Sequence, residues 1–178
     1  MLSLNESILP PGTRFGEFNL HAGEEVMGKN PVMDFFYHYW LSKHSEGHLP
    51  RRSDIRPSEV ARHLDHVVIM DVVRDSDSFA LKVRLIGTHV ANFYGEISGQ
   101  DIKAIQNPNA VNRIYHLSGL VIAHKIPQMS VTPAFAPDRQ YLEAYALYMP
   151  LFGDSDDVEK IMVAVDVLSL SRKRDFTA

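Results

Sequence analysis

From Val67 to Gly99 the chain reads VVIMDVV, then RDSDS, then FALKVRLIG, then THVANFYGEISG. Phe79, Leu81, Val83 and Leu85 alternate with Lys82 and Arg84, the period of a strand with one buried face. The segment Arg74–Ser78 holds only charged and hydroxyl residues, the chemistry of a solvated hairpin tip. At Gly87-Thr88 the period changes. Thr88 is the expected N-cap, and Val90, Phe93 and Tyr94 share one helical face until Gly95 ends it. The pattern predicts a β-hairpin whose second strand runs into a short helix.

The flanks extend this unit. Residues 1–29 show no period and are expected to be irregular. Asn30-Pro31 is a helix start, and Met33, Phe36, Tyr37, Trp40, Leu41 and His44 then fall on one face. That aromatic face reads first as core or lid packing. A second reading makes Phe36, Tyr37 and Trp40 a homodimer or partner surface. Pro57 opens another short helix with Val60, Ala61 and Leu64 inward. Asn107-Pro108 repeats the start signal for a long helix with Val111, Ile114, Leu117, Val121 and Ile122 on one side, ended by Pro127. Three strands follow: Gln128 to Phe135, Arg139 to Leu151 and Lys160 to Leu168. Pro133 marks the first as an edge or a bulge. APDR and GDSDD supply the turns, and SRKRDFTA is a polar tail.

Short links between sequential strands imply antiparallel pairing. The expected fold class is α+β: a five-stranded antiparallel sheet with helices on one face and an N-terminal helical extension. Residues 1–178 form one domain, with a helical cap over 30–66 and a core over 67–168. The long helix crosses one sheet face and leaves a small cavity beneath it.

Composition narrows the function classes. A 178-residue chain with 45% hydrophobic and 22% charged residues has room for a sizeable core. A net charge of −4 argues against a nucleic-acid or anionic-membrane surface. No apolar run reaches the roughly 18 residues of a transmembrane helix. The start MLSLNESILPPG lacks the basic and apolar regions of a secretory signal. Cysteine is absent, which removes disulfides, thiolate metal sites and thiol catalysis. The expected location is the cytoplasm.

Several motifs carry a resemblance. They are YW-L at Tyr39–Leu41, LPRRSDI-P from Leu49 to Pro57, a hydrophobic strand ending in Asp71, F-x4-RLIGT from Phe79 to Thr88, and FYGEISGQ from Phe93 to Gln100. Together with the order of elements they resemble a PAS domain, more narrowly a bacterial family of small, often stand-alone PAS-like proteins. The motif match spans roughly residues 33 to 100, and beyond Gln100 it rests on the element pattern. The resemblance implies strand order 2-1-5-4-3 and a sensory or docking role without a known reaction. It also implies homodimers and signalling partners such as histidine kinases.

Cofactors of such domains are tested residue by residue. The flavin photosensor and covalent chromophore types need a cysteine, and this chain has none. A non-covalent flavin has no supporting motif. Haem-binding types use a histidine on or near the long helix, where His116 and His124 sit. A histidine at a helix C-terminus is explained more simply by the helix dipole, so haem is not the expected occupant.

The remaining candidates are weighed the same way. His44 with His48, and His63 with His66, have helical metal-ligand spacing, but Gly47 breaks the first pair and the second lacks partners in sequence. Capping or solvated histidines are the preferred reading, and no metal is expected. Arg84 either pairs with a carboxylate such as Asp71 or Asp166 or anchors an anionic ligand; pairing is preferred. Tyr94, Tyr115, Tyr145 and Tyr148 are the polar pocket candidates, with Met129 and Phe93 as apolar wall. Catalytic motifs are lacking: there is no G-x-S-x-G, Walker loop, Rossmann glycine pattern or HExxH. Glu143 and Tyr145 share a strand face, as any i, i+2 pair does.

Three functions follow in order of preference. The first is a sensory module that takes a small molecule and acts through protein contacts. The second is a ligand-free docking or dimerisation module. The third is a small α+β isomerase or dehydratase, which would need a deep pocket joining Asp71 or Asp166 to a histidine.

Overall fold

The computed structural model describes residues 9–133 and 142–169. Its six strands are β1 (Asn19–Ala22), β2 (Val67–Arg74), β3 (Phe79–Ile86), β4 (Gln128–Thr132), β5 (Leu142–Phe152) and β6 (Val158–Ser169). They form one sheet in the order β1-β4-β5-β6-β2-β3, and every neighbouring pair is antiparallel. With β1 set aside, the other five stand in the order expected. The APDR turn and the polar tail lie outside the described residues.

β1 corrects two expectations. Residues 1–29 were expected to be irregular, yet Asn19 pairs with Val131 and Ala22 with Gln128. Four residues are too few to display a period, so this strand exists through tertiary pairing alone. It also means that β4, expected as an edge or bulge, lies between β1 and β5. Pro133 stands one residue beyond the last paired position, Thr132, so its missing N–H interrupts no ladder bond.

The helices are α1 (Pro31–Ser42), α2 (Thr88–Tyr94) and α3 (Pro108–His124). Asn30 Oδ1 accepts from the N–H groups of Val32 and Met33, and Asn107 Oδ1 accepts from Ala110. Each cap satisfies donors that the first turn leaves unpaired. α1 ends two residues short of His44. Gly87 rather than Thr88 caps α2. The expected helix from Pro57 is replaced by two 3-10 turns, Pro57–Glu59 and Ala61–His66. Val60 leaves helical geometry between them (φ −117°, ψ 16°) and buries its side chain.

Register assigns the faces, because cross-strand partners point the same way. Val68, Met70, Ala146, Tyr148, Val163 and Val165 face α2 and α3. Leu147, Met149, Met162 and Ala164 alternate with them and are fully buried on the opposite face. α1 covers that opposite face. Its cap residue Asn30 donates through Nδ2 to Asp166 on β6 (2.9 Å), and Trp40 Nε1 donates to the Pro150 carbonyl on β5 (2.8 Å). The expectation of helices on one face therefore holds for α2 and α3 but not for α1.

The same packing corrects the partner-surface reading of α1. Phe36 is fully buried, and Tyr37 and Trp40 keep only 6% and 5% of their surface. Their area is spent against the sheet within the chain, so they form core and not an exposed docking face.

β3 carries one irregularity. Ile69 pairs with Leu85 but Met70 pairs with Val83, which leaves Arg84 as the extra residue of a β-bulge. The expected run of Phe79, Leu81, Val83 and Leu85 on one face breaks there, and Leu85 turns to the α1 side.

Candidate ligand cavity

The turn from β3 into α2 is unusually close to its neighbour. The Gly87 N–H donates to the Val67 carbonyl at 2.8 Å, and a Cβ on Gly87 would stand 2.2 Å from the Asp65 carbonyl oxygen. Only a residue without a side chain fits. The turn sends α2 across the sheet with Val90 inward, and Gly95 (φ +93°) stops it immediately after Tyr94. α3 returns over the same face.

Between these helices and the sheet lies a cavity of about 40 Å³, walled by Val68, Met70, Val90, Ile114 and Val163 and bounded by Tyr94 and Tyr148. The two tyrosines also border a smaller space of about 10 Å³, together with Arg113, Ser130 and Thr132. The first lobe is apolar; the second, which shares Tyr94, Ile114, Ala146 and Tyr148 with it, mixes polar groups with apolar ones. Burial pushes the Tyr94 hydroxyl up to about 12, against a downward pull from Arg113. Burial, reinforced by Tyr94, pushes Tyr148 up as well, again opposed by Arg113. Both hydroxyls stay protonated at neutral pH and are hydrogen-bond donors at the junction of the lobes.

Of the six residues expected in the pocket, Tyr94 and Tyr148 line this cavity. Tyr145 and Met129 do not, because their register places them on the α1 face; the Tyr145 hydroxyl donates to Glu143. Positions 145 and 148 differ by an odd number, so a regular strand cannot aim both inward. Phe93 packs on His89, with ring centroids 5.5 Å apart. The Tyr115 hydroxyl accepts from the Leu81 N–H (3.3 Å) and donates to Asp101 (3.2 Å). Arg84 Nε donates to Asp71, which also receives Lys160 Nζ. Burial works to raise the Asp71 carboxyl, but these two cations outweigh it and hold it below its ordinary value. Arg113 was not singled out from sequence. Its signal is a cation at core spacing, three residues after Ala110 and four before Leu117.

A family model described as PAS domain matches residues 27–165. The chain belongs to the PAS domain family. No curated protein matches it. Similar solved structures include one titled "Structure of an RNA-binding Light-Oxygen-Voltage Receptor", 14% identical with a TM-score of 0.45. That match covers 90% of this chain and 41% of the receptor, so the chain spans less than half of the receptor's length. β1 lies outside the matched span of the PAS domain, whereas α1 lies inside it. Among the described residues no helix is long and apolar enough to cross a membrane.

Two histidines of this PAS domain bind the backbone of the sheet. β2 leaves β6 unpaired beyond Ala164, and two imidazoles take over. His66 Nδ1 donates to the Val165 carbonyl (2.8 Å), and His89 Nε2 accepts the Val167 N–H (3.1 Å). Their rings lie 4.2 Å apart, and Asp166 Oδ1 is 3.6 Å from each of these nitrogens. Burial and then His66 lower the His89 pKa, opposed by Asp166 and Asp65. Asp65, His66 and His89 bring donor atoms within 4.8 Å of one another, a grouping different from the His63–His66 pair read from sequence. Two of the ring nitrogens are already committed to β6.

The other histidines separate in the same way. His44 Nδ1 sits at the Leu41 carbonyl (3.2 Å), while His48 pairs with Asp54 (2.8 Å). His116 is buried against Phe15 (5.0 Å between rings), and burial lowers its pKa. Neither His116 nor His124 lines the cavity, and about 40 Å³ is far too little for a haem or an isoalloxazine.

Proposed function

We propose that this PAS domain is a sensory module that takes a small molecule between its sheet and α2 and α3, and reports occupancy through contacts with another protein. The observation that carries the reading is the cavity bounded by Tyr94 of α2 and Tyr148 of β5. Its walls come from α2, α3, four strands of the sheet and Ile97, Ile102 and Ile105 between the helices, so a molecule there touches two helices and the sheet at once. A ligand shifts such an arrangement only by its differential affinity for two states; reversing a 1:99 ratio takes about 10⁴-fold. The receiver is a second copy of the chain or a signalling protein such as a histidine kinase.

The enzyme reading finds less support. Asp166 does meet two histidines, but on β6 backbone positions and away from the cavity walls. The docking reading loses the aromatic face that motivated it, since α1 turns that face inward. Native mass spectrometry of freshly purified protein, compared with the denatured mass, tests the sensory reading. Extra mass lost on denaturation is the expected result. A bare mass, with no stabilisation by any member of a small-metabolite panel, would refute it.

A further inference from the structure

We propose that the cavity is built for a short-chain carboxylate, whose head group is held by Arg113 and whose hydrocarbon tail enters the apolar lobe; this rests on the sensory reading above. Arg113 projects from α3 with only 7% of its surface exposed. Its Nη1 donates to the Phe15 carbonyl. The backbone at Gly16 closes over the same nitrogen so tightly that a Cβ there would stand 3.2 Å from it. Among the described residues no carboxylate lies within ion-pair distance of this guanidinium. A guanidinium carries five N–H donors, and a buried charge that lacks a counter-charge is costly.

What faces the guanidinium is suited to an anion. The lobe it borders is lined by the hydroxyl-bearing residues Ser130, Thr132, Tyr94 and Tyr148, interleaved with alanines and Ile114. Both tyrosines are protonated, so neither places a negative charge beside the guanidinium. A planar fork with flanking hydroxyls is the geometry that grips a carboxylate. The neighbouring lobe supplies the rest of the ligand's description. It is walled by Val68, Met70, Val90, Ile114 and Val163, and an ion with no apolar part would leave it unused. Its volume of about 40 Å³ selects a short tail, and the space of about 10 Å³ beside Arg113, room for about one water, has to widen for the head group. A cationic head is excluded by Arg113 itself.

The test uses the full chain and isothermal titration with sodium butyrate, n-butanol and n-butylammonium chloride. Butyrate is expected to bind one to one, at least tenfold more tightly than butanol, and butylammonium not at all. Arg113→Gln is expected to bring butyrate down to the level of butanol while butanol is unchanged. Thr132→Val, which keeps the Arg113–Phe15 contact, is expected to weaken butyrate several-fold and spare butanol. Equal affinity for butyrate and butanol, or full retention of butyrate by Arg113→Gln, overturns the carboxylate assignment and leaves the sensory reading standing. Binding of none of the three overturns the assignment too. Only with a bare native mass and no stabilising metabolite would the sensory reading fall with it.

Discussion

Gly87→Ala is the sharpest single perturbation the fold offers. The backbone at Gly87 (φ −69°, ψ 154°) is as open to alanine as to glycine, so the added methyl tests sterics alone. That methyl would stand 2.2 Å from the Asp65 oxygen and 2.4 Å from its carbonyl carbon, whereas ordinary contact begins at 3.4 Å. Either the 3-10 turn or the β3–α2 turn must retreat by roughly 1 Å, against a core packed to crystal density. Neither is free to move. Gly87 is tied to Val67, and His66, next to Asp65, is tied to Val165, each at 2.8 Å. Overpacking costs about 1–3 kcal/mol. Losing one of the two hydrogen bonds adds about 1 kcal/mol. The expected loss is about 2–4 kcal/mol, a fall in Tm of roughly 5–15 °C for a chain of this size. Differential scanning calorimetry with a urea titration measures both quantities. A Tm within about 2 °C of the unmodified protein would refute the reasoning, since it would mean that the two turns yield without cost.

Asn30→Ala removes a cap and also a donor to the buried Asp166, so it should cost about 2–3 kcal/mol in urea unfolding; an effect limited to the roughly 1 kcal/mol of a plain cap would show that the Asp166 contact is idle. Asp71→Asn weakens the contacts with Lys160 and the half-exposed Arg84, and should cost about 1 kcal/mol, with a double-mutant cycle assigning most of it to Lys160. Acid should destabilise the fold. Burial lowers the pKa of His21, His63, His89 and His116 below the ordinary 6.5, so the folded state binds fewer protons than the unfolded chain. Their contribution is fully present above 6.5 and lost as pH falls through the lowered values, so Tm should be flat near neutrality and decline below it. His89→Gln, which keeps an acceptor for Val167, should flatten that decline; a Tm that rises on acidification would contradict the assignment.

β3 was legible because period two survives in it, the central strands because they are apolar runs bounded by turn chemistry, and the Asn-Pro starts of α1 and α3 because capping is local chemistry. What escaped were features that depend on a neighbour. β1 is four residues defined by its partner. The Arg84 bulge is a property of the pair β2–β3 and flips Leu85 without any mark in the alternation. An aromatic helix face reads the same whether it meets the chain's own sheet or another molecule, and Phe36, Tyr37 and Trp40 proved to be the former. At the cavity, Tyr94 and Tyr148 were readable from the fold pattern, but strand parity would have separated Tyr145 from Tyr148. Arg113 stood in plain view as a cation at core spacing. Its importance comes from the strap at Phe15 and Gly16, which no local pattern announces.

The short strand β1 has a consequence for how this protein meets others. It occupies the flank of β4 that would otherwise offer bare N–H and C=O groups. At the far margin, β3 is engaged from outside by Gly99 and Gln100, whose backbones bond Val83 at 2.8 Å. β1 itself is then the outermost strand on that flank, only four residues long, and β3 is covered around Val83. A visiting segment, or a copy of the chain docking rim to rim, finds only short stretches of ladder to extend. Short edges of this kind shift recognition towards side chains on helix surfaces and loops, where it can be specific and reversible, and away from the sequence-blind hydrogen bonds through which sheets fuse into aggregates.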